Sequence, residues 1–202
     1  MLQYSNTQGL PLPEQSVFKI LRQLMRALVY MHMENVVHAD VKLENCLFGS
    51  DSIDSLHLVD FGLSLNIREI GEIPEGVRGT LNYMAPEILT ADRARPIMPQ
   101  LSDRTDVWAA GVVLFTLSCG FLPFNGATQD EIVKQMTESE AQIQTRLSSS
   151  SQWWQLNEKL RDLIIRMLRV NPTERLTSAQ TLKHPWFVNW RNIQLQEEKK
   201  IV

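Results

Sequence analysis

At 202 residues, with 44% hydrophobic and 21% charged residues, the chain is long enough to bury one core and lacks the composition of a disordered segment. A net charge of -3 gives no general reason to expect nucleic acid or an anionic membrane as partner. Its two cysteines, Cys46 and Cys119, stand far apart and outside any C-x-x-C pattern, which argues against a disulfide or zinc framework and fits a reducing, cytoplasmic or nuclear compartment.

Met1 to Pro13 has no basic stretch leading into an apolar core, so no cleaved signal is expected. Pro11 to Glu14 reads as a turn and helix start, with Pro13 in the first turn and Glu14 near the positive helix end. From there Val17, Phe18, Ile20, Leu21, Leu24, Met25, Leu28, Val29 and Met31 recur at helical spacing, while Lys19, Arg22, Gln23 and Arg26 take the other face. A long amphipathic helix is predicted.

Cys46-Leu47-Phe48 and Leu56-His57-Leu58-Val59 flank a run rich in Gly, Ser and Asp, which predicts a β-hairpin. That hairpin would bring Asn45 and Asp60, at its two ends, close together. Leu63 to Tyr83 carries Gly71, Pro74, Gly76 and Gly79 and reads as a long irregular segment, a length that is usually functional inside a compact domain. Ala91 to Arg104 reads as a second loop, followed by a helix starting near Asp106. The apolar run Val107 to Phe124 is broken by Ser118, Gly120 and Pro123, so a buried helix is expected there rather than a membrane span. Thr128 to Thr137 predicts a short helix, Ser148 to Ser151 a polar surface run, and Leu160, Leu163, Ile164, Met167 and Leu168 an amphipathic helix. Thr177-Ser178-Ala179-Gln180 has the form of a capping box. No internal repeat, linker or second domain is read.

Two carboxylates, an ammonium and an amide lie within His38–Asn45 and Asp60-Phe61-Gly62, the groups needed to bind a divalent metal, hold a phosphate and orient a hydroxyl. His38-x-Asp40-x-Lys42-x-x-Asn45, Asp60-Phe61-Gly62 and Ala85-Pro86-Glu87 follow the order and spacing of the protein kinase motifs. So do Gly79-Thr80-x-x-Tyr83-Met84, Asp106-Val107-Trp108-x-x-Gly111, Asn171-Pro172-x-x-Arg175 and His184-Pro185-Trp186-Phe187. The chain therefore resembles the large, C-terminal lobe of a eukaryotic serine/threonine protein kinase, closest in look to the calmodulin-dependent and AMP-activated branch.

The resemblance implies a mainly α lobe, a helical bundle with a short β-hairpin at the catalytic cleft, spanning residues 1–187 and followed by a charged tail, 188–202. It implies ATP and magnesium as cofactors and a protein as substrate, with neither nucleic acid nor a membrane as partner. By the same resemblance Asp40 orients the substrate hydroxyl and receives its proton, Lys42 sits beside the transferred phosphoryl group, and Thr80 bridges the two. Asn45 and Asp60 are the implied magnesium ligands, and Leu47 joins them in binding the nucleotide. Phe61 and His38 would pack beneath the site, Glu87 and Arg175 would form a buried ion pair, and Asp106 would anchor the backbone around His38. Glu44 resembles the carboxylate of kinases that prefer basic residues ahead of the phosphorylated site.

Two departures stand out. Ala39 replaces the arginine that most of the family carries and that an activation-segment phosphate neutralises, and Ser64 is the sole hydroxyl between Gly62 and Gly79 while Glu69, Glu72 and Glu75 already supply negative charge. Activity independent of activation-segment phosphorylation is expected. Upstream of His38 there are one glycine, Gly9, and one lysine, Lys19, with no glycine-rich phosphate loop and no strand lysine. The small lobe, or a partner replacing it, is expected to be missing from this chain, with apolar surface exposed around Leu47 and Phe61 and no phosphoryl transfer by residues 1–202 alone. A kinase-derived lobe serving as a non-catalytic scaffold is the alternative. His32, His57 and His184 read as packing residues, Cys46 and Cys119 as small apolar ones, and Trp153-Trp154 as an anchor between helices.

Overall fold

The first predicted helix spans Glu14–Met33 (α1) and buries Val17, Phe18, Ile20, Leu21, Leu24, Met25, Leu28 and Met31. These are the residues its apolar stripe selects, save Val29, which is half-buried. Pro13 stands at the N-cap rather than inside the first turn, where its fixed φ and missing N–H cost the helix nothing. The computed structural model describes residues 10–49, 53–68, 79–90 and 102–199, with side chains described through residue 193. The acidic stretch with Glu69, Glu72 and Glu75, most of the Ala91–Arg104 connection, Met1 to Gly9 and the charged side chains of the tail lie outside the described residues.

After α1 the chain forms β1 (Val36–Val37), a 3-10 turn at Leu43–Asn45, then β2 (Cys46–Phe48), β3 (Leu56–Leu58) and β4 (Leu65–Asn66). The expected hairpin is present, with Cys46 opposite Leu58, Leu47 opposite His57 and Phe48 opposite Leu56. A second antiparallel pair joins β1 to β4, setting Val36 opposite Asn66 and Val37 opposite Leu65. The described ends of Leu63 to Tyr83, read as irregular, thus hold a two-residue strand and a 3-10 turn at Leu81–Tyr83.

The helical part continues with α2 (Pro86–Leu89), α3 (Asp103–Cys119), α4 (Gln129–Met136), α5 (Glu140–Leu147), α6 (Ser151–Gln155), α7 (Glu158–Met167), α8 (Ser178–Thr181) and α9 (Pro185–Lys199). Helix α3 begins a turn before the predicted Asp106, because the Ser102 side chain accepts from the Arg104 N–H and caps it. It ends on Gly120 at φ 90°, a left-handed closure that glycine adopts without strain. Every residue from Thr105 to Cys119 is buried, so α3 is the axis around which the other helices pack. Each fully buried aliphatic side chain there contributes about 1.5–3 kcal/mol. A Cβ on Gly111 would stand 3.0 Å from Met167 and Leu168, which shows how closely α3 and α7 approach.

Helix α5 was not predicted; its signal is the Ser139–Gln142 capping box, with Ile143 and Leu147 alone buried. Helix α9 runs across position 188, where the charged tail was expected to begin. It docks on α1 through Phe18, whose ring lies 5.8 Å from Trp186 and 5.7 Å from Trp190. Glu14 Oε1 accepts from both indoles, at 2.8 and 3.0 Å. Among the described residues no helix is long and apolar enough to cross a membrane.

Candidate active site

The loop between β1 and β2 is held from beneath by α3. Asp106 accepts the His38 N–H at 2.8 Å and the Ala39 N–H at 2.9 Å. This pins the chain where Ala39 adopts φ 64°, a left-handed conformation that a non-glycine residue keeps only under outside constraint. Asp106 also bonds His32 Nε2 at 2.9 Å, and His32 Nδ1 lies 2.9 Å from the Ser178 hydroxyl. His32 is therefore more than a packing residue. It links α1, α3 and α8 behind the loop, a role that appears only when three distant segments meet.

His38 is fully buried, with Nδ1 accepting the Asp40 N–H at 3.3 Å and Nε2 donating to the Val59 carbonyl at 3.1 Å. The bonds assign the neutral imidazole with its proton on Nε2. Phe61 lies over it at 5.2 Å between ring centroids.

Asp40 is 7% exposed and surrounded by donors. The Thr80 N–H and hydroxyl both reach Oδ1 at 3.1 Å. Lys42 Nζ reaches Oδ2 at 2.6 Å and Asn45 Nδ2 reaches it at 3.1 Å. The ring closes where Lys42 donates to Thr80 Oγ1 at 2.8 Å and Asn45 to the Asp40 carbonyl at 2.8 Å. Burial pushes the Asp40 carboxyl up, but the Lys42 ammonium and the Thr80 hydrogen bonds outweigh it and hold the group below its ordinary value. Asp40 is thus an ionised acceptor at neutral pH. Four donors fill its roughly four lone-pair positions, so an incoming hydroxyl needs one to withdraw. Among these partners, the Lys42 side chain is 19% exposed.

The structure thus brings Asp40, Lys42, Thr80 and Asn45 into one hydrogen-bonded cluster. Asp60 stands across the hairpin, exposed, at φ 65°, with Oδ1 accepting the Gly62 N–H at 3.3 Å. Asn45 gives its amide N–H groups to Asp40, which leaves its carbonyl oxygen as the free end. An Asn carbonyl and an Asp carboxylate are hard oxygen donors of the kind magnesium takes, and magnesium is held by few protein ligands because it keeps water and substrate phosphates. No cluster of three His, Cys, Asp or Glu occurs among the described residues. Leu47 and Phe61, on the hairpin face, are 45% and 54% exposed.

Behind the site, Arg175 pairs with Glu87 through two parallel bonds of 2.7 and 2.8 Å. A cavity of about 50 Å³ lies beside Ala39, lined by Asp40, Thr80, Met84, Thr105 and Asp106 among others. Burial, and then the exposed Glu44 carboxylate, push the Tyr83 phenol well above its ordinary value. Cys46 and Cys119 are buried, and burial pushes each thiol up to about 12, which leaves them inert.

The protein kinase domain family matches residues 1–187. The chain belongs to the protein kinase domain family. Among its relatives, the phosphorylase b kinase gamma catalytic chain, liver/testis isoform, of Bos taurus is 38% identical over 90% of this chain and 42% of its own length. Calcium-dependent protein kinase 5 of Plasmodium falciparum is 33% identical over 89% of this chain and 29% of its own. The serine/threonine-protein kinase cds1 of Schizosaccharomyces pombe is 32% identical over 86% and 36%. The chain is a serine/threonine-type member of the family, consistent with its calmodulin-dependent branch, and it spans less than half the length of these curated relatives.

Proposed function

We propose that this chain supplies the large lobe of a kinase that transfers the γ-phosphoryl group of ATP to serine or threonine of a protein. The observation that carries this reading is the closed cluster of Asp40, Lys42, Thr80 and Asn45. Asp40 accepts a hydrogen bond from the attacking hydroxyl and takes its proton as the new bond forms. The proton can move late, because phosphoryl transfer runs mostly on positioning and charge stabilisation. Lys42 swings from Asp40 to the equatorial oxygens of the transferred group, opening a lone pair on Asp40 for the hydroxyl and supplying positive charge where it is needed. Thr80 holds both side chains in one plane of approach during that exchange.

Asn45 and Asp60 would hold magnesium, which neutralises phosphate charge when bound. Leu47 offers an apolar face to the base. The exposed Glu44 favours a basic residue ahead of the phosphorylated one. Ala39 carries no cation that a phosphate must neutralise, so activity does not depend on activation-segment phosphorylation. Half a nucleotide site lies in residues 1–202, and the exposed Leu47 and Phe61 need a covering lobe or partner, so these residues alone neither bind ATP tightly nor transfer phosphate. The same exposed apolar face also suits a scaffold whose partner covers it.

The test is radiolabelled phosphate transfer by the full-length protein to an array of basic serine and threonine peptides, alongside residues 1–202. Transfer by the full-length protein with none by the lobe is expected. No transfer by the full-length protein favours the scaffold, and tight magnesium-ATP binding by residues 1–202 in calorimetry overturns the half-site reading. Phosphatase treatment should leave activity intact; loss of activity, restored by a kinase acting on the activation segment, would overturn the reading of Ala39.

A further inference from the structure

Gln23 lies on the face of α1 that the sequence pattern assigns to solvent, yet its amide is committed to the hairpin. Its Nε2 donates to the Ile53 carbonyl at 2.7 Å and to the Lys19 carbonyl at 3.0 Å, and its Oε1 accepts the Leu56 N–H at 2.9 Å. Ile53 and Leu56 lie where the chain enters β3, so one side chain fixes the start of that strand to α1 through a carbonyl and an N–H. The Lys19–Asp54 ion pair beside it, at 3.0 Å, is exposed and screened by water.

At the open end, 2.9 Å separates the Val59 N–H from the Asn45 carbonyl, and the Val59 carbonyl accepts from His38. Between the two ends run strands of three residues each. A two-stranded ribbon this short is marginal in water, and a slip of one residue would turn each side chain to the opposite face. Its own cross-strand bonds, the Gly49 N–H to the Ser55 carbonyl at 2.8 Å among them, therefore need support from what grips the ribbon from outside.

We propose that Gln23 is a positioning residue for the pair Asn45 and Asp60: by clamping the closed end of the hairpin to α1 it sets the register that keeps these two oxygen donors together at the open end. The inference rests on the assignment of that pair to magnesium under Proposed function.

The test compares Q23M and Q23E with the wild-type chain 1–202. Methionine keeps the length and packing of glutamine and removes both contacts with the hairpin; glutamate keeps the acceptor for Leu56 alone. The deciding amide is Val59, which retains its own partner in every variant. Its hydrogen exchange should rise about tenfold in Q23M, the effect of two lost hydrogen bonds passed in part along the ribbon, and should rise also in Q23E, where a carboxylate oxygen faces the Ile53 carbonyl, while the Leu163 amide in α7 exchanges as before. In a titration with manganese alone, paramagnetic broadening of the Asn45 and Asp60 amides should require a several-fold higher concentration in Q23M. Unchanged Val59 exchange overturns the clamp. Faster Val59 exchange with unchanged manganese response makes Gln23 structural alone and overturns the positioning role. Failure of the wild-type chain to respond to manganese overturns the metal assignment instead, and Val59 still decides the clamp.

Discussion

Arg175 and Lys42 are both cations held against a carboxylate inside the same lobe, and they differ in what they leave unspent. Arg175 uses all five donors: Nε to the Arg169 carbonyl, one terminal nitrogen to Glu87 and the Arg104 carbonyl, the other to Glu87 and the Val170 carbonyl. Its side chain is 0% exposed and its guanidinium lies 5.1 Å from the Trp108 ring centroid. Lys42 gives two of its three N–H groups, to Asp40 and Thr80, and its side chain is 19% exposed. A saturated cation can only hold structure together, whereas one with a donor to spare can change partners. The Arg175 pair is thus a fastener, and under the proposed function the Lys42 pair is a switch built from similar chemistry.

The contrast is sharpest when each carboxylate is removed. D40N should lower kcat of the full-length kinase by about 10²- to 10⁴-fold, the range for a positioned acid–base group, with a smaller loss of stability. E87A should do the reverse. Leaving Arg175 buried without its partner costs ~3–5 kcal/mol, read as a lower urea midpoint, while E87M combined with R175M should recover much of that loss. If D40N proved as destabilising as E87A, the distinction between the two pairs would fail.

Replacing Thr80 with valine keeps its shape and removes the hydroxyl from between Asp40 and Lys42. The backbone N–H of Thr80 still reaches Asp40, so the expected loss is roughly fivefold in kcat, one net hydrogen bond of about 1 kcal/mol, with serine restoring most of it. A T80V enzyme with wild-type kcat would show that Lys42 needs no guide when it changes partners.

Legibility in the sequence follows the same division between local and assembled features. The stripe of α1, the hairpin Cys46 to Leu58 and the Thr177 cap are set within one segment, and periodicity or capping residues reveal them. The β1–β4 pair is two residues long, too short for alternation to register, and it forms because tertiary packing brings Val36 beside Asn66. Helix α5 buries two side chains, which leaves its apolar period almost empty. In the site, Asp40, Lys42, Asn45 and Thr80 were readable from motif spacing. His32 and Gln23 were not, because a buried histidine and a polar-face glutamine look ordinary until Asp106, Ser178 and the hairpin turn arrive from elsewhere in the chain.

The smallest expected effect is on acid stability, and it compares Asp40 with a carboxylate remote from the cleft. Burial pushes the Asp162 carboxyl up, but hydrogen bonds from His184 and Arg166 outweigh it and hold the group below its ordinary value, as Lys42 and Thr80 do for Asp40. In both cases the folded state binds its proton less readily than the unfolded one. Each group therefore adds stability that is fully present above the ordinary carboxylate value and is lost as pH falls through the depressed folded value. Urea midpoints measured from neutral to acid pH should decline in that window, and D40N and D162N should each flatten the decline. Asp162 is 45% exposed on its side chain, so water screens its partners and D162N should flatten it less, with no effect on phosphoryl transfer. A larger flattening by D162N would mean that the Lys42 contact is weaker in solution than its 2.6 Å separation implies, and that Lys42 already spends much of its time away from Asp40.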